Sequence, residues 1–136
     1  MAEKLGKPTS IHSRGSVDDV LDKLQSFKLK GVLLHWFSGS KNQLKRATDL
    51  RCYVSYGPVL VYSEHKKSLL RDTPRELVLV ETDGPVKYSK CFEDKAALFS
   101  FLPSVAFAIA RTLNIDYHYA CAILKQNSEK YLNRVL

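Results

Sequence analysis

The chain has 136 residues, which suits one domain and falls well short of the roughly 250 residues that a complete (β/α)8 barrel needs. Apolar residues make up 45% and charged residues 26% of the chain, a globular composition that excludes a disordered chain. The formal net charge of +7 is compatible with an anionic partner such as nucleic acid and equally with a solvated basic surface.

Cysteine usage and hydropathy bear on the compartment. The three cysteines include no C-x-x-C pair, which argues against a disulfide framework or a cysteine zinc site and favours a reducing, cytoplasmic compartment. The first seven residues have no apolar core and do not resemble a secretory signal. The longest apolar stretch, residues 96–110, is shorter than the about 20 residues of a membrane span, so it predicts a buried helix and no membrane partner.

The first half of the chain alternates short apolar runs with amphipathic stretches. Residues 9–12 form the first run, and a helix follows in which Ser16 is the predicted N-cap and the apolar spacing extends to Phe27. Residues 31–37 form the second run, whose continuous apolar character is typical of a strand buried on both faces. A Ser38-Gly39-Ser40 turn then leads into a second predicted helix.

The second half continues this alternation. Residues 52–56 form the third run, and residues 59–63 either continue that strand or form a loop before a short helix. The fourth run, residues 77–83, is stopped by Gly84-Pro85. The remaining sequence predicts helices over about residues 95–113, broken or restarted at Pro103, and over residues 117–126, with Asp116 as N-cap and a last turn to Leu132.

Four buried runs that are each followed by helical sequence predict repeated βα units. Such units form a parallel sheet with right-handed crossovers, so we expect an α/β fold. We treat residues 1–136 as a single domain.

Three of the four predicted strands end in a side chain that can bind metal or transfer a proton. His12 closes the first strand, His35 lies near the end of the second, and Asp83 closes the fourth. In parallel β/α folds, ligands and catalytic groups lie at the carboxyl ends of the strands. A divalent metal bound by these groups would lower the pKa of a bound water and supply a hydroxide nucleophile near neutral pH.

Each of these residues also has a structural interpretation. A single histidine is more often a hydrogen-bonded structural residue than a ligand, and an aspartate before Gly-Pro is a common turn residue. The joint placement of three such groups on one rim favours the functional interpretation. His65, in a polar loop, and His118, in a helix between tyrosines, receive no such support.

Anion-binding groups accompany this rim. Arg14 lies two residues past His12, where its guanidinium could pair with a phosphate, although a surface arginine is an equal alternative. Ser38 and Gly39 precede a helix N-terminus, whose backbone N–H groups can donate to an anion. The sequence contains no G-x-S-x-G elbow and no Walker A loop.

Four elements, in chain order, resemble those of one family. Ile11-His12-Ser13-Arg14, the Leu34–Gly39 segment (Leu-His-Trp-Phe-Ser-Gly), Tyr53-Val54-Ser55-Tyr56-Gly57 and Glu81-Thr82-Asp83-Gly84-Pro85 are similar to elements of the TatD-type metal-dependent deoxyribonucleases. The helical tail, with Ile109-Ala110 and Asn127, is also similar. Trp36 stands where the family usually has cysteine, and Gly84 where alanine is common.

The resemblance implies a TIM-type (β/α)8 barrel related to the amidohydrolases, with divalent metal ions (Mg, Zn or Mn). It implies that His12 and His35 share one metal and that Asp83 ligates the other and accepts a proton from the attacking water. The family's H-x-H pair and mid-barrel glutamate have no counterpart here, because Glu3 is the only acid before His12. The chain therefore resembles strands five to eight, the C-terminal half of the barrel.

Our first hypothesis from the resemblance is a hydrolase that cleaves phosphodiester bonds of DNA with metal-activated water, incomplete or inactive as an isolated chain. A separate chain or a second copy would supply the missing half, or the chain is a truncated product. The alternative is a non-catalytic, basic half-barrel that binds nucleic acid or protein. An amidohydrolase-type enzyme acting on a different bond is a further alternative, because fold and metal ligands do not fix the substrate.

Overall fold

A computed structural model of the chain describes residues 1–133; residues 134–136, which the single-domain prediction includes, lie outside the described residues. The structure contains a parallel sheet with strand order β1-β2-β3-β4, which confirms the prediction of repeated βα units. The strands are β1 (Thr9–His12), β2 (Val32–His35), β3 (Tyr53–Tyr56) and β4 (Val78–Val80).

Helices follow each strand. The α-helices are α1 (Ala2–Leu5), α2 (Val17–Leu24), α3 (Lys41–Asp49), α4 (Glu64–Asp72), α5 (Leu102–Leu113) and α6 (Tyr117–Asn133). Short 3-10 helices cover Pro58–Val61, Arg75–Leu77, Phe92–Asp94 and Phe99–Phe101, so the ambiguous segment after β3 is neither strand nor irregular loop. None of the helices in residues 1–133 is long and apolar enough to cross a bilayer.

One predicted helix boundary is wrong, and one open alternative is decided. Helix α5 begins at Leu102, which confirms the alternative of a restart at Pro103, because a proline fits the first helical turn. Helix α2 ends at Leu24 rather than extending to Phe27, whose N–H bonds the Leu24 carbonyl in a tighter i→i+3 turn. Ser16 occupies the N-cap position without a side-chain hydrogen bond, whereas Ser40 forms a full capping box with Gln43 at the start of α3.

The two faces of the sheet bury different residues. One face packs against the helices and contributes Leu34, Val54 and Val78 to the main hydrophobic core. The opposite face carries a smaller cluster in which Leu33, Tyr53 and Leu79 meet Tyr131 of α6; the Tyr53 and Tyr131 rings lie 5.4 Å apart, edge to face. Burial on both faces is what the continuous apolar runs predict.

On this second face, the side chains become polar towards the carboxyl ends of the strands. Residues two apart in a strand share a face, so His35 follows Leu33, Ser55 follows Tyr53, and Glu81 follows Leu79. The face therefore changes from an apolar layer to a polar layer at one end of the sheet. This polar layer positions the site described below.

Asn127 attaches α6 to the start of β4. Its side-chain amide is buried, and Nδ2 donates to the Arg75 carbonyl at 2.7 Å and to the Val78 carbonyl at 2.8 Å. Asn127 thus satisfies two backbone carbonyls, one just before β4 and one at its first residue.

We expect Asn127→Ala to lower the free energy of unfolding by about 2 kcal/mol, because each buried group left without a partner costs about 1–3 kcal/mol. Urea unfolding followed by circular dichroism measures the loss. Asn42→Ala, at an exposed position of α3, is the matched control and should change the free energy by no more than about 0.5 kcal/mol. Equal losses at the two positions would contradict this role.

Candidate metal centre

The sheet brings the three sequence-predicted metal ligands to one rim. His12 and His35 are register partners at the ends of β1 and β2, and their ring centroids lie 5.6 Å apart. Asp83 follows β4, and its Oδ1 lies 3.0 Å from Nε2 of His35. Because the strands are parallel, their carboxyl ends meet at the same edge, as the sequence predicts.

Glu81 holds the His35 ring from the other side. Nδ1 of His35 lies 2.6 Å from Oε2 of Glu81, and the Ser55 hydroxyl donates to the same oxygen. Ser55 in turn accepts a hydrogen bond from the Trp36 backbone N–H at 3.2 Å. The Glu81 side chain is only 12% exposed; burial raises its pKa, and the hydrogen bonds from Ser55 and His35 act in the opposite direction.

The donors and acceptors at His35 suit a shared cation. An ionised carboxylate only accepts hydrogen bonds, so the contact with Glu81 requires a proton on Nδ1. On a neutral ring, Nε2 then directs its lone pair at Oδ1 of Asp83, which also carries lone pairs. A proton or a divalent metal relieves this opposition, and an imidazole whose second nitrogen donates to a carboxylate is typical of metal-binding histidines. His35 and Asp83 therefore fit a metal ion.

His12 completes the rim less directly. Its side chain is exposed at the edge strand β1 and contacts the His35 ring. Within residues 1–133, no three His, Cys, Asp or Glu side chains converge closely enough to hold a metal ion as a group. The structure thus brings together two of the three predicted ligands, His35 and Asp83, and leaves His12 as a neighbour of the pair.

The backbone around the site is held in an unusual conformation. Trp36 and Asp83 both have φ in the left-handed region, at 49° and 54°, which is a rare conformation for a bulky residue such as tryptophan. The Trp36 ring stacks on Tyr88 at 5.8 Å, and the Tyr88 hydroxyl donates to the Thr82 carbonyl at 2.8 Å. These contacts connect the chain after β2 to the chain after β4, and so fix His35 relative to Asp83.

Lys66 of α4 is a basic group on the border of the site. Its ammonium donates to the Phe37 carbonyl, and its side chain lines a small cavity with Ser55 and Glu81. Burial lowers the pKa of Lys66 to about 8, while the Glu81 charge opposes this shift. The lysine therefore places a desolvated cation close to the buried carboxylate.

The predicted anion-binding residues lie outside the cluster around His35. Arg14 is exposed two residues after β1, and Ser38 is exposed after β2. Gly39 is buried, and the Phe37 ring lies so close to its backbone that a Cβ at this position would be 2.6 Å from Cζ of Phe37. Close packing thus accounts for the glycine, and the phosphate-contact roles of Arg14, Ser38 and Gly39 stay predictions.

Comparison with known proteins decides the family. The family model described as "TatD related DNase" matches residues 1–133. The chain belongs to this family. The resemblance read from the four sequence elements is therefore confirmed.

Relatives and solved structures match nearly the whole chain. The chain is 25% identical over 134 residues to the uncharacterized metal-dependent hydrolase YabD of Bacillus subtilis, covering 96% of the chain and 52% of the relative. It is 24% identical over 139 residues to the 3'-5' ssDNA/RNA exonuclease TatD of Edwardsiella piscicida, covering 96% and 54%. The crystal structure of YJJV, a TatD homologue from Escherichia coli K12, superposes with a TM-score of 0.88 at 21% identity and covers 97% of the chain and 52% of that structure. The chain thus spans about half the length of the proteins it matches.

The sequence alone assigns no role to three residues of this candidate site: Glu81 and Ser55, which stand in the quoted elements, and Lys66. The sequence marks Glu81 as the first acid after the buried run, two residues before Asp83, but it does not indicate that His35 is its partner. Ser55 could have been found as the polar residue inside an otherwise apolar strand. No local pattern marks Lys66, which lies between other polar residues at the start of α4.

We expect Lys66 to make stability depend on pH above neutrality. Because the folded-state pKa is about 8 and the ordinary value is 10.5, the unfolded chain binds more protons between these two pH values, and stability rises with pH across this window. The variant Lys66→Met should lose this rise, so the wild type gains stability relative to the variant as the pH increases. Urea unfolding at several pH values measures the difference, and Lys45→Met, in an exposed ion pair with Asp49, is the control with an unchanged slope. A constant difference across the window would contradict the prediction.

Proposed function

We propose that this chain carries part of the active rim of a metal-dependent hydrolase that cleaves phosphodiester bonds of DNA. The observation that carries the proposal is the His35 ring held between Glu81 and Asp83 at a parallel-sheet rim. Family membership supports metal-dependent hydrolysis, and the similarity to the 3'-5' ssDNA/RNA exonuclease TatD of Edwardsiella piscicida supports a nucleic-acid substrate. Within this proposal, His12, His35 and Asp83 hold divalent metal, whether Mg, Zn or Mn.

The residues of the rim have distinct roles in this proposal. A bound metal would lower the pKa of its water and so supply a nucleophile for the phosphorus atom. Asp83 accepts the proton of the attacking water, and Glu81 fixes the orientation of the His35 ring. Arg14 contacts a phosphate oxygen, and the backbone at Ser38 and Gly39 offers further donors to the phosphate.

We further propose that the sheet corresponds to strands five to eight, the C-terminal half, of a TIM-type barrel. The superposition on about half of YJJV supports this correspondence, with β1 and β4 at the two edges of the sheet. Catalytic metal sites usually have three protein ligands, and two donors converge in residues 1–133. Within this proposal, hydrolysis therefore needs further ligands from outside the described residues.

The alternative is a non-catalytic half-barrel that binds nucleic acid through its basic surface. The net charge of +7 and the small number of converging metal donors in the described residues favour it. Salt-sensitive DNA binding that survives both His12→Ala and Asp83→Ala, without metal binding, would support this alternative over the hydrolase. DNA cleavage by the isolated monomer that depends on His12 and is abolished by EDTA would show instead that the site is complete.

Metal-binding measurements test directly whether the His35 ring, held between Glu81 and Asp83, is a metal ligand. We expect His35→Ala to lower the Zn²⁺ or Mn²⁺ affinity of the purified chain by more than about 100-fold, since it removes the donor that both carboxylates face. Isothermal titration calorimetry of the metal alone measures the affinity. His65→Ala removes an exposed histidine of α4 and is the matched control with unchanged affinity. Unchanged affinity in the His35 variant would overturn the proposal.

Glu81 should act through His35 rather than on the metal itself. We expect Glu81→Gln to lower metal affinity by about 10–100-fold, because the charged partner of Nδ1 is lost while the imidazole remains. Glu76→Gln, in an exposed ion pair with Arg51, is the control. A loss in the Glu81 variant as large as that of His35→Ala would indicate that Glu81 is itself a ligand.

A further inference from the structure

A second cavity lies away from the His35 rim, along the outside of the fold. It runs between α4 and α5, has a volume of about 880 Å³, and is bordered at one end by the Cys91-Phe92 turn. Glu64, Lys67 and Arg71 project into it from α4 at a helical spacing of three and four residues, so they share one face of that helix. We call this cavity the α4–α5 groove.

The α4–α5 groove is basic. Three cationic side chains line it, Lys67 and Arg71 from α4 and Arg111 from α5, against a single carboxylate in its described lining, that of Glu64. Lys67 pairs with Glu64 at 2.8 Å. Among residues 1–133, no carboxylate lies within ion-pair distance of Arg71 or Arg111, so both guanidinium groups are available to an anion. Guanidinium groups suit phosphate, because their fork of N–H donors matches two phosphate oxygens.

Aromatic rings line the same groove. Phe107 of α5 is 56% exposed, and its ring centroid lies 6.3 Å from that of Tyr117. At the other end of the groove, the Phe92 ring stacks on Phe101 with centroids 4.0 Å apart. Cations interleaved with exposed rings are the pattern with which proteins bind single-stranded nucleic acid, where phosphates meet the cations and bases stack on the rings.

Helix α4 connects the groove to the metal rim. Lys67 faces the groove, while its neighbour Lys66 reaches the Phe37 carbonyl just after the strand that ends in His35. The Tyr62–Lys90 pair, with Nζ 5.7 Å from the ring centroid, lies near the same end of α4. Helix α4 therefore borders both the rim, through Lys66, and the groove, through Lys67.

We propose that the α4–α5 groove binds a short segment of single-stranded nucleic acid, about one nucleotide with its two flanking phosphates. Cavities of about 300–1,000 Å³ hold small-molecule ligands. The volume of the groove, about 880 Å³, therefore suits a segment of this length. Arg71 and Arg111 bind phosphates, and Phe107 stacks on a base. That the strand is a substrate rests on the proposed function, whereas the binding itself does not.

Fluorescence anisotropy of a labelled single-stranded oligo(dT), in EDTA so that no cleavage occurs, tests the proposal on the full chain. We expect the double variant Arg71→Gln/Arg111→Gln to bind roughly tenfold more weakly, with a salt dependence less steep by about 1.4, since each phosphate contact on a single strand contributes about 0.7 to the slope. Phe107→Ala should bind at least fivefold more weakly, because stacking on one base contributes about 1–3 kcal/mol. It should bind an abasic oligonucleotide as well as the wild type does.

The matched control is Lys125→Gln/Lys130→Gln, which removes the same charge from exposed positions of α6 outside the groove. Equal losses in the two double variants would overturn the proposal, since binding would then follow net charge alone. Tighter binding of duplex than of single strand, or inorganic phosphate that competes as well as the oligonucleotide, would also overturn it. Unfolding curves for every variant exclude loss of fold as the cause.

The two proposals fail in different ways. If the chain bound no metal but the groove variants weakened oligonucleotide binding as expected, the hydrolase proposal would be overturned and the groove proposal would stand. If the chain bound metal but the variants of Arg71, Arg111 and Phe107 did not weaken oligonucleotide binding, the groove proposal would be overturned and the hydrolase proposal would stand.

Discussion

The contact between the buried Glu81 carboxylate and the His35 ring is the constraint on which the rest of the site depends. A carboxylate removed from water is costly unless donors replace the lost hydration, and Ser55 and His35 supply those donors. The hydrogen bond commits Nδ1 of His35 and so directs Nε2 at Asp83. Ser55 also accepts from the N–H of Trp36, which holds the chain after β2 in its left-handed conformation. One buried acid thereby fixes a ring, a turn and the direction of a candidate metal ligand.

The parallel sheet converts a simple alternation into this arrangement. On one face, an apolar side chain on each of three strands is followed two residues later by His35, Ser55 or Glu81. Because the strands run in the same direction, the polar residues collect at one end while the apolar layer packs against Tyr131 at the other. The polar end can therefore hold charge without breaking the hydrophobic contacts that stabilise the sheet.

The sequence predicts most of the fold and part of the site, for identifiable reasons. The strands are recognisable because apolar runs end at turn residues, and the placement of His12, His35 and Asp83 follows from the ends of those runs. The role of Glu81 depends on the register of β2, β3 and β4 and joins residues 46 positions apart, which no local pattern encodes. The predicted end of α2 is wrong, because the apolar spacing continues to Phe27, past Leu24, where the backbone hydrogen bonding changes. The inward direction of Lys66 depends on tertiary packing alone.

Helix α4 shows how one element serves two surfaces. Successive residues on an α-helix point about 100° apart, so Lys66 and Lys67 face different surroundings although they are neighbours in sequence. Lys66 is desolvated beside Glu81, and burial lowers its pKa, whereas Lys67 stays paired with Glu64 at the edge of the α4–α5 groove. Basic residues therefore lie at both surfaces: Lys66 packs beside the rim, and Lys67 lines the groove with two arginines. A nucleic-acid strand held along α4 would lie on the same rigid element that supports the rim, so the groove and the metal ligands keep a fixed separation.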